Sequence, residues 1–355
     1  MNREAGQVPH AADVIVVGAG IAGLCAATEL RRGGRSVVVL DKSRGVGGRM
    51  ATRRVGDVVC DHGAQFFTVR GRAFGGIVAA AHAAGDAAVW CDGFSRADTV
   101  ASAVEPAPDG HPRWRGVRGM TDLPKRLAAG LDDGTVRTDT KAVGIGRQSG
   151  GVVVEVETSG GDRALLGAAA AVVTAPVPQA IDLFHAGGLD AVADRAALET
   201  LATVTYDPCF ALMAVLRGAS LVPPPGAIQF AAGPVRWIAD NQAKGITSRP
   251  ALTIHASGEW SRERFDDAAD DVADALLSLA GPWIDGDPRH GVVDRSLQRW
   301  KFATPTTILP TPLVTVSSDP PVVCCGDAFA GPRVEGAASS GMAAARWLAR
   351  VMTKG

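Results

Sequence analysis

The chain of 355 residues carries 36 Lys and Arg against 37 Asp and Glu, which gives a formal net charge of -1 at pH 7. This balance lacks the basic surplus that binds a phosphate backbone, so nucleic acid is disfavoured as a partner. A hydrophobic fraction of 46% with 21% charged residues is typical of a globular protein, and the length predicts about two domains.

Cysteine and apolar patterning narrow the class of protein further. The six cysteines include no C-x-x-C pair and no spacing to histidine that is typical of a metal site, so neither a disulfide framework nor a bound metal is expected. Residues 1–13 contain no apolar leader segment, and no stretch reaches the roughly 18 apolar residues of a membrane span. We therefore expect a cytoplasmic protein without a membrane partner.

The first predicted elements form a βαβ unit. Residues 13–17 are a short β-branched run, residues 21–30 are rich in Ala and Leu, and residues 36–40 are a second apolar run. This order of strand, helix and strand predicts two parallel, buried strands of an α/β sheet.

The rest of the chain predicts a second, mainly antiparallel domain between residues 180 and 300, followed by a return to the α/β sheet. Predicted helices cover 72–84, 120–131, 190–201, 266–280 and 336–351. Predicted strands cover 87–91, 98–104, two strands within 135–158 that a turn at 148–151 joins, 169–174, 208–216, 226–232, 235–240, 251–256 and 321–325.

A glycine motif lies at the first turn. Residues 18–23 read Gly-Ala-Gly-Ile-Ala-Gly, the G-x-G-x-x-G pattern, between the predicted strand and helix. Gly18 allows the sharp turn, Gly20 leaves the path of a pyrophosphate clear, and Gly23 lets helix and strand pack closely. The helix N-terminus offers N–H groups to the anion. Asp41 follows the second strand, where its carboxylate can accept both hydroxyls of an adenosine ribose. These residues predict a dinucleotide site.

The loop after the second strand favours FAD over NADP. Lys42 and Arg44 could bind a 2′-phosphate, which keeps NADP open as an alternative. Residues 44–49, however, read Arg-Gly-Val-Gly-Gly-Arg, an R-x-x-G-G-R pattern a few residues after Asp41. This pattern resembles the motif that follows the second strand in the FAD-dependent amine oxidase superfamily, where the loop passes along the diphosphate and ribityl chain.

A third candidate cofactor segment lies near the C-terminus. The apolar run 321–325 is followed by Gly326 and Asp327, whose carboxylate can accept a hydrogen bond from a ribityl hydroxyl. A helix or turn cap is the alternative role of this aspartate. Residues 336–341 then begin a helix of small residues, against whose N-terminus a flat ring can lie. The N–H groups there would stabilise negative charge on a reduced flavin.

With these motifs the chain resembles the renalase-like branch of the FAD-dependent amine oxidase superfamily over nearly its whole length. The segments that belong to the whole superfamily are 18–23, 172–176 and 326–327. Further segments that carry the resemblance are 47–49, 119–120 and 299–303. Segments more particular to the renalase-like branch are 61–67, which read Asp-His-Gly-Ala-Gln-Phe-Phe, 237–241 with Lys244, and 255–261.

The resemblance implies a fold and a domain organisation. It implies an α/β, Rossmann-like FAD-binding domain of the glutathione-reductase and p-hydroxybenzoate-hydroxylase type, joined to a mainly antiparallel α+β substrate domain. The expected FAD-binding domain consists of residues 12–70, 112–178 and 295–355, and the expected substrate domain consists of 71–111 and 179–294.

The resemblance also implies the cofactor contacts. FAD is expected to be bound non-covalently, because no cysteine lies between Arg299 and Pro321, where covalently flavinylated relatives carry theirs. The expected contact residues are Gly18, Gly20, Ile21, Ala22, Gly23, Asp41, Lys42, Arg44, Gly48, Arg49, Met50, Gly63, Ala64, Gln65, Val143, Thr174, Ala175, Pro176, Trp300, Gly326, Asp327, Gly336, Ala337 and Ala338.

The resemblance implies a reaction as well. Renalase-like enzymes oxidise dihydronicotinamide isomers of NAD(P)H to the ordinary dinucleotide, transfer a hydride to flavin N5 and reduce O2 to H2O2. Tyr206 is the only tyrosine of the chain, so the two-tyrosine cage common in conventional amine oxidases of this superfamily cannot be built. The candidate substrate-side residues are Gln65, Phe67, Trp237, Asn241, His255 and Trp300, for each of which an ordinary structural role is the alternative.

Three other functions stay open. A flavin amine oxidase or desaturase acting on another small molecule would use the same architecture. A non-catalytic protein that binds FAD or another dinucleotide would be reduced slowly by every donor. An NADP-dependent reductase without flavin would purify colourless.

Overall fold

The computed structural model describes residue 8, residues 10–329 and residues 331–353. Most of the N-terminal segment in which a leader was sought therefore lies outside the described residues. Within the described part, none of the helices combines the length and apolar character needed to span a bilayer. The cytoplasmic location stays a prediction.

The chain divides into two compact units, each assembled from separate stretches of sequence. Unit 1 consists of Met1–Gly48, Pro124–Thr205 and Pro305–Gly355, and unit 2 consists of Arg49–Leu123 and Tyr206–Thr304. The assignment of cofactor and substrate to two domains stays a prediction.

Unit 1 is built on a mixed sheet with a parallel centre. Its described strands are β1 (His10–Val17), β2 (Val37–Leu40), β8 (Val136–Arg137), β9 (Thr140–Gln148), β10 (Gly151–Thr158), β11 (Arg163–Val173), β17 (Val314–Ser318) and β18 (Pro321–Cys324). Their order is β17-β18-β11-β1-β2-β8, with β10 pairing with β11 and β9. The strands from β18 to β8 are parallel, whereas β9, β10 and β17 pair antiparallel. The predicted Rossmann-like α/β fold is confirmed.

Helices cover this sheet. They are α1 (Ile21–Arg32), α3 (Asp122–Ala129), α4 (Val177–Gly187), α5 (Arg195–Ala202) and α9 (Arg333–Val351). Small residues allow α1 and α9 to cross closely, because a Cβ atom on Gly341 would lie 2.0 Å from the carbonyl oxygen of Ala22. The core between them and the sheet includes Val14, Leu24 and Leu348, all fully buried.

Unit 2 contains the predicted mainly antiparallel sheet. Its strands are β6 (Ser95–Ala97), β12 (Tyr206–Leu216), β13 (Ala227–Phe230), β14 (Val235–Asp240), β15 (Ala251–Ala256) and β16 (Val292–Pro305), in the order β16-β12-β15-β14-β13-β6. Two hairpin sheets accompany it, β3 (Thr52–Val55) with β4 (Val58–Asp61) and β5 (Ala87–Cys91) with β7 (Arg113–Gly116). Its helices are α2 (Arg72–Ala83), α6 (Gly258–Glu263), α7 (Ala269–Leu279) and α8 (Pro288–Gly291).

The two faces of this sheet have different neighbours. Ile238 and Ile254 belong to the large apolar core that includes Leu276 of α7. The opposite face, on which Met213 lies, packs against Val58 of the β3–β4 hairpin. Alternation along each strand therefore separates the face that packs against α7 from the face that packs against the β3–β4 hairpin.

One predicted strand is wrong, and several observed elements, among them α4 and β16, are absent from the prediction. The strand predicted at 98–104 is wrong, because Thr99 and Ser102 hydrogen-bond to each other and close a turn, while β6 ends at Ala97. The prediction omitted α4, which buries Val177, Ala180 and Phe184 on one face. It also omitted β16, in which Asp294, Arg295, Arg299 and the other charged residues interrupt the apolar pattern that predicts a strand.

Candidate functional site

The glycine motif forms the turn between β1 and α1 in unit 1. Gly18 has a φ of +109°, and a Cβ atom on it would lie 2.4 Å from Oγ1 of Thr174. A Cβ atom on Gly23 would lie 1.9 Å from the carbonyl oxygen of Gly18, whereas one on Gly20 would meet no described atom within 4 Å. The turn is therefore closely packed at its first and third glycines and open beside its second.

The N-terminus of α1 offers hydrogen-bond donors beside this open side. The helix begins at Ile21, and within the described residues no side chain caps its first turn, which also contains Ala22 and Gly23. Its backbone N–H groups can therefore donate to an anion. The second glycine loop lies next to this turn, because the Gly47 N–H donates to the Ala19 carbonyl at 2.8 Å.

Asp41 follows β2 and binds two stretches of backbone. Its Oδ2 atom accepts from the Ala19 N–H at 2.7 Å, and its Oδ1 atom accepts from the Ser43 N–H at 2.8 Å. The structure thus gives this carboxylate a role in aligning the glycine turn, while the ribose contact stays a prediction. Lys42 and Arg44 are exposed.

The end of β11 is tied to the same turn. Thr174 donates its Oγ1–H to the Val17 carbonyl at 2.9 Å. Ala175 and Pro176 follow it and lead into α4. Val143, the remaining candidate of this part of the sheet, is half-buried on β9.

The end of β18 is tied to the C-terminal helix. The Gly326 N–H donates to Oγ of Ser340 at 2.8 Å. Asp327 is half-buried directly after this glycine. Residues 336–338 lie in the first turns of α9, which no side chain caps within the described part of the chain.

These residues of unit 1 fit a bound FAD. The open side of Gly20 is a cradle that any side chain at this position would narrow, and the first turn of α1 supplies donors for the diphosphate. Asp41 would hold the adenosine ribose, and Asp327 would hold a ribityl hydroxyl. When bound, FAD supplies the two-electron redox chemistry that no side chain can perform.

Arg49 lies in unit 2, in the short 3-10 turn Gly48–Met50. Its Nη1 atom donates to the carbonyl oxygens of residues 302–303 at 3.4 and 3.3 Å. Its guanidinium carbon lies 5.9 Å from the ring centroid of Tyr206. The Arg49 carbonyl accepts from the Ala64 N–H at 2.8 Å, which holds the segment after Asp61 against this turn.

Asp61 forms a buried ion pair at the end of β4. Its Oδ2 atom lies 2.6 Å from Nζ of Lys244, and both side chains are fully buried. Its Oδ1 atom accepts from Oγ1 of Thr52 at 2.5 Å and from the Met120 N–H at 2.8 Å. Burial lowers the pKa of Lys244, and the Asp61 carboxylate opposes this shift. Because both oxygens have partners, the charges of this pair are compensated inside the unit.

The backbone of Asp61 connects the candidate substrate residues. Its carbonyl accepts from Nε2 of Gln65 at 2.7 Å and from Oγ1 of Thr253 at 2.9 Å. Its N–H donates to Oδ1 of Asn241 at 3.4 Å, and Nδ2 of Asn241 donates to Oγ1 of Thr253 at 3.0 Å. Residues far apart in sequence therefore share one hydrogen-bond network.

Gln65, His255 and Trp237 lie together beside this network. Nε2 of Gln65 and Nε2 of His255 are 3.5 Å apart. His255 and Trp237 are register partners on the neighbouring strands β15 and β14, so their side chains share one face of the sheet. The Phe66 ring stacks on Trp237 with centroids 5.7 Å apart, and Phe94 meets Trp237 edge-on at 4.8 Å.

Trp300 belongs to the same unit and packs on His62. Their rings are parallel with centroids 5.3 Å apart, and Nε1 of Trp300 donates to the His62 carbonyl at 2.9 Å. The pKa of His62 is lowered to about 4, first by burial and then by the charge of Arg53. Desolvation, with the charges of His62 and Lys244, also lowers the pKa of His255 to about 4. Both imidazoles are therefore neutral near pH 7.

Phe67 lies apart from these side chains. Its backbone pairs with Trp114 of β7, and its ring packs edge-on against Phe74 of α2 with centroids 5.8 Å apart. Gly63 packs closely against the 3-10 turn Gly48–Met50, because a Cβ atom on it would lie 2.0 Å from the Arg49 carbonyl oxygen. The structure thus joins five of the six substrate candidates in one unit-2 neighbourhood and places the sixth in a hydrophobic core.

Sequence reasoning missed the groups that hold this neighbourhood together. Asp61 and Lys244 are noted only as family-like positions, and His62 and Phe66 are not among the candidates. For Asp61, His62 and Phe66 the available signal is the run of polar and aromatic residues at 61–67. Lys244 has no such local signal.

All six cysteines are free thiols. Burial raises the pKa of Cys324 well above its usual range and that of Cys325 to about 12, so neither thiol ionises near neutral pH. No group of three acidic, histidine or cysteine side chains that could hold a metal occurs among the described residues.

Two sequence profiles match the chain. Residues 16–79 match the NAD(P)-binding Rossmann-like domain, and residues 82–349 match the flavin containing amine oxidoreductase family. A curated relative, the "Putative flavin-containing monoamine oxidase AofH" of Mycobacterium tuberculosis, is 47% identical over 66 residues. That match covers 19% of this chain and 14% of the relative.

Solved structures extend the similarity of fold to nearly the whole chain. Cyclohexylamine oxidase from Brevibacterium oxydans IH-35A aligns with a TM-score of 0.71 and 14% identity, covering 97% of this chain and 100% of that one. Wild-type putrescine oxidase bound to putrescine aligns with a TM-score of 0.69 and 16% identity, covering 95% and 98%. The predictions of FAD as cofactor and of an oxidoreductase are confirmed, and the chain belongs to the flavin containing amine oxidoreductase family.

Proposed function

We propose that the protein is a renalase-like oxidase. It takes dihydronicotinamide isomers of NAD(P)H, removes a hydride from the ring and releases the ordinary oxidised dinucleotide. FAD, held by the glycine turn of unit 1, would supply the acceptor for this hydride. O2 would take up the two electrons, the proton of the hydride and one proton from solvent to give H2O2. The small-molecule dinucleotide and O2 are thus the proposed partners.

One observation carries this proposal. Two of the segments most particular to the renalase-like resemblance, 61–67 and 237–241 with Lys244, meet in the hydrogen-bond network of Asp61. The third, 255–261, begins beside this network, because Nε2 of His255 lies 3.5 Å from Nε2 of Gln65. Hydrogen bonds join residues there that are 180 to 192 positions apart in sequence. Segments that carry the resemblance therefore lie close together in space. This supports the renalase-like branch within the family.

The chemistry of these side chains suits hydride transfer. His62 and His255 are neutral near pH 7, and the charge of Lys244 is paired with Asp61. Oxidation of a dihydronicotinamide forms an aromatic ring without removal of a proton from carbon, so it needs positioning rather than a general base. The residues present therefore bind and orient the ring.

Amine oxidation is the second candidate. The family description favours it, since the matched family is named for amine oxidoreductases. The composition opposes it, because a chain with one tyrosine cannot flank an amine with two.

Anaerobic reduction of the purified protein tests the two candidates. The holoprotein should purify yellow with FAD that heat releases. Mixed with 2- or 6-dihydro isomers of NAD(P), the flavin should bleach in one fast phase, and admitted O2 should restore the colour and form H2O2. NADH, putrescine and cyclohexylamine serve as matched donors and should bleach it slowly or not at all. Fast bleaching by an amine together with inert isomers would contradict the proposal, and colourless protein would contradict the FAD site itself.

A further inference from the structure

Four buried side-chain N or O atoms of unit 2 have no hydrogen-bond partner among the described residues: Nδ1 of His62, Oε1 of Gln65, Nε1 of Trp237 and Nε1 of Trp283. Two of them, Oε1 of Gln65 and Nε1 of Trp237, belong to side chains that both neighbour His255 and are 5% and 8% exposed. A buried acceptor or donor without a partner costs about 1–3 kcal/mol, so each such atom needs an explanation, and a bound ligand is one of them.

The orientation of the Gln65 amide is fixed by its neighbours. Its Nε2 atom faces two carbonyl oxygens, that of Asp61 at 2.7 Å and that of Gly63 at 3.1 Å. Both neighbours can only accept, so the nitrogen must face them and the oxygen must face away. Oε1 is therefore an acceptor directed away from the backbone that anchors the side chain.

The Trp237 indole supplies the opposite polarity. An indole N–H can only donate, and Trp237 is held by the Phe66 and Phe94 rings. His255 connects this donor with Gln65, because it is the register partner of Trp237 and lies 3.5 Å from Nε2 of Gln65. A neutral donor and a neutral acceptor thus belong to two side chains that both neighbour His255, Trp237 across the strand pair and Gln65 through its amide.

We infer that Gln65 and Trp237 together bind the primary carboxamide of a nicotinamide ring, with Oε1 of Gln65 accepting from the amide NH2 and Nε1 of Trp237 donating to the amide carbonyl. This inference rests on the proposed function and names the groups that select its substrate. A carboxamide fits because it presents one donor and one acceptor on a single planar unit.

An ammonium group does not satisfy this pair. It carries donors only and would leave the Trp237 N–H without an acceptor, and the carboxylate of Asp61, the acid of this network, is already paired with Lys244. The polarity of the two side chains therefore selects between the two candidate functions.

Calorimetric titration of the FAD-bound full chain tests the inference. The probes are NAD, the product of the proposed reaction, and its 3-acetylpyridine analogue, in which a methyl group replaces the amide NH2. Wild-type protein should bind NAD about tenfold more tightly, because the analogue leaves Oε1 of Gln65 unpaired. In Gln65→Met this ratio should fall to about 1. Trp237→Phe should weaken both probes about tenfold and keep their ratio.

A matched control separates the indole N–H from the loss of any tryptophan. Trp283 also carries a buried Nε1 without a partner in the described part of the chain, and it packs near Phe230 in the apolar core of the unit. Trp283→Phe should leave both affinities unchanged. Equal wild-type affinities for the two probes, or binding of neither, would overturn the inference even if the dihydro isomers bleach the flavin. A tenfold preference without bleaching would uphold it and contradict the proposed reaction.

Discussion

Replacement of Asp41 by alanine removes an acceptor from the Ala19 N–H as well as from the expected ribose. We expect the affinity for FAD to fall by about 1–3 kcal/mol, the range for a lost charge-assisted hydrogen bond. Fluorescence of FAD released on dialysis measures this loss.

The matched control for this change is Asp13→Ala. Asp13 also accepts backbone and side-chain hydrogen bonds, from Ser36 at 2.7 and 2.9 Å, but it lies in β1 before the glycine turn. This variant should keep its FAD. If both variants retain FAD equally, Asp41 does not contact the ribose.

The Asp61–Lys244 ion pair sets a second expectation for single residues. Lys244→Met leaves a buried carboxylate without its counter-charge, which should lower the free energy of unfolding by about 3–5 kcal/mol in urea titration. Asp61→Asn should also destabilise, because it leaves the ammonium group unpaired.

The double variant distinguishes a buried pair from two independent contributions. With both charges removed, the loss in free energy of unfolding should be smaller than the sum of the two single losses. The reason is that the double variant leaves no buried charge without its counter-charge. Additive losses would show that the two side chains do not depend on each other.

At the scale of elements, the crossing of α1 and α9 depends on one glycine. In Gly341→Ala the new Cβ atom would lie 2.0 Å from the Ala22 carbonyl oxygen, so the helices must separate. We expect a loss of about 1–3 kcal/mol in the free energy of unfolding. FAD retention should fall as well, because Ala22 lies in the glycine motif.

Gly76→Ala provides the matched control for this prediction. Gly76 is an exposed residue inside α2, and a Cβ atom there would meet no described atom within 4 Å. The substitution should therefore stabilise by about 0.5–1 kcal/mol, the difference in helix propensity. Similar losses in both variants would contradict a specific close crossing.

The elements also divide by how well the sequence predicts them. The β1–α1–β2 unit is correctly predicted, because apolar periodicity and the glycine motif agree locally. The turn at Thr99 and Ser102 is not, since side-chain hydrogen bonds there override the strand-like pattern. The network around Asp61 was beyond local patterns, because its partner Asn241 lies 180 residues away.

At the scale of the whole molecule, the neutral histidines predict acid sensitivity. The pKa values of His62 and His255 are about 4 in the folded chain and 6.5 ordinarily, so the unfolded chain binds protons first as pH falls. The contribution of these two neutral histidines to the free energy of unfolding is therefore complete above about pH 6.5 and is lost as the pH falls towards 4. Each histidine should add about 1.4 kcal/mol per pH unit to the slope inside this window.

Urea titrations at pH 4.5, 5.5 and 6.5, values that span about this window, measure the slope. In His255→Gln the slope of the free energy of unfolding against pH should decrease by the contribution of one proton. The same slope in this variant and in the wild type would show that the folded chain does not keep His255 neutral.

The crossing of α1 with α9 has a consequence for the synthesis of the protein. The two helices are about 300 residues apart, and a ribosome adds roughly 5–20 residues per second. The apolar side of α1 therefore waits about 15–60 s for the helix that covers it. During this interval the glycine turn lacks its final packing partner, so we expect FAD to be bound only after translation is complete and α1 to expose apolar surface until then.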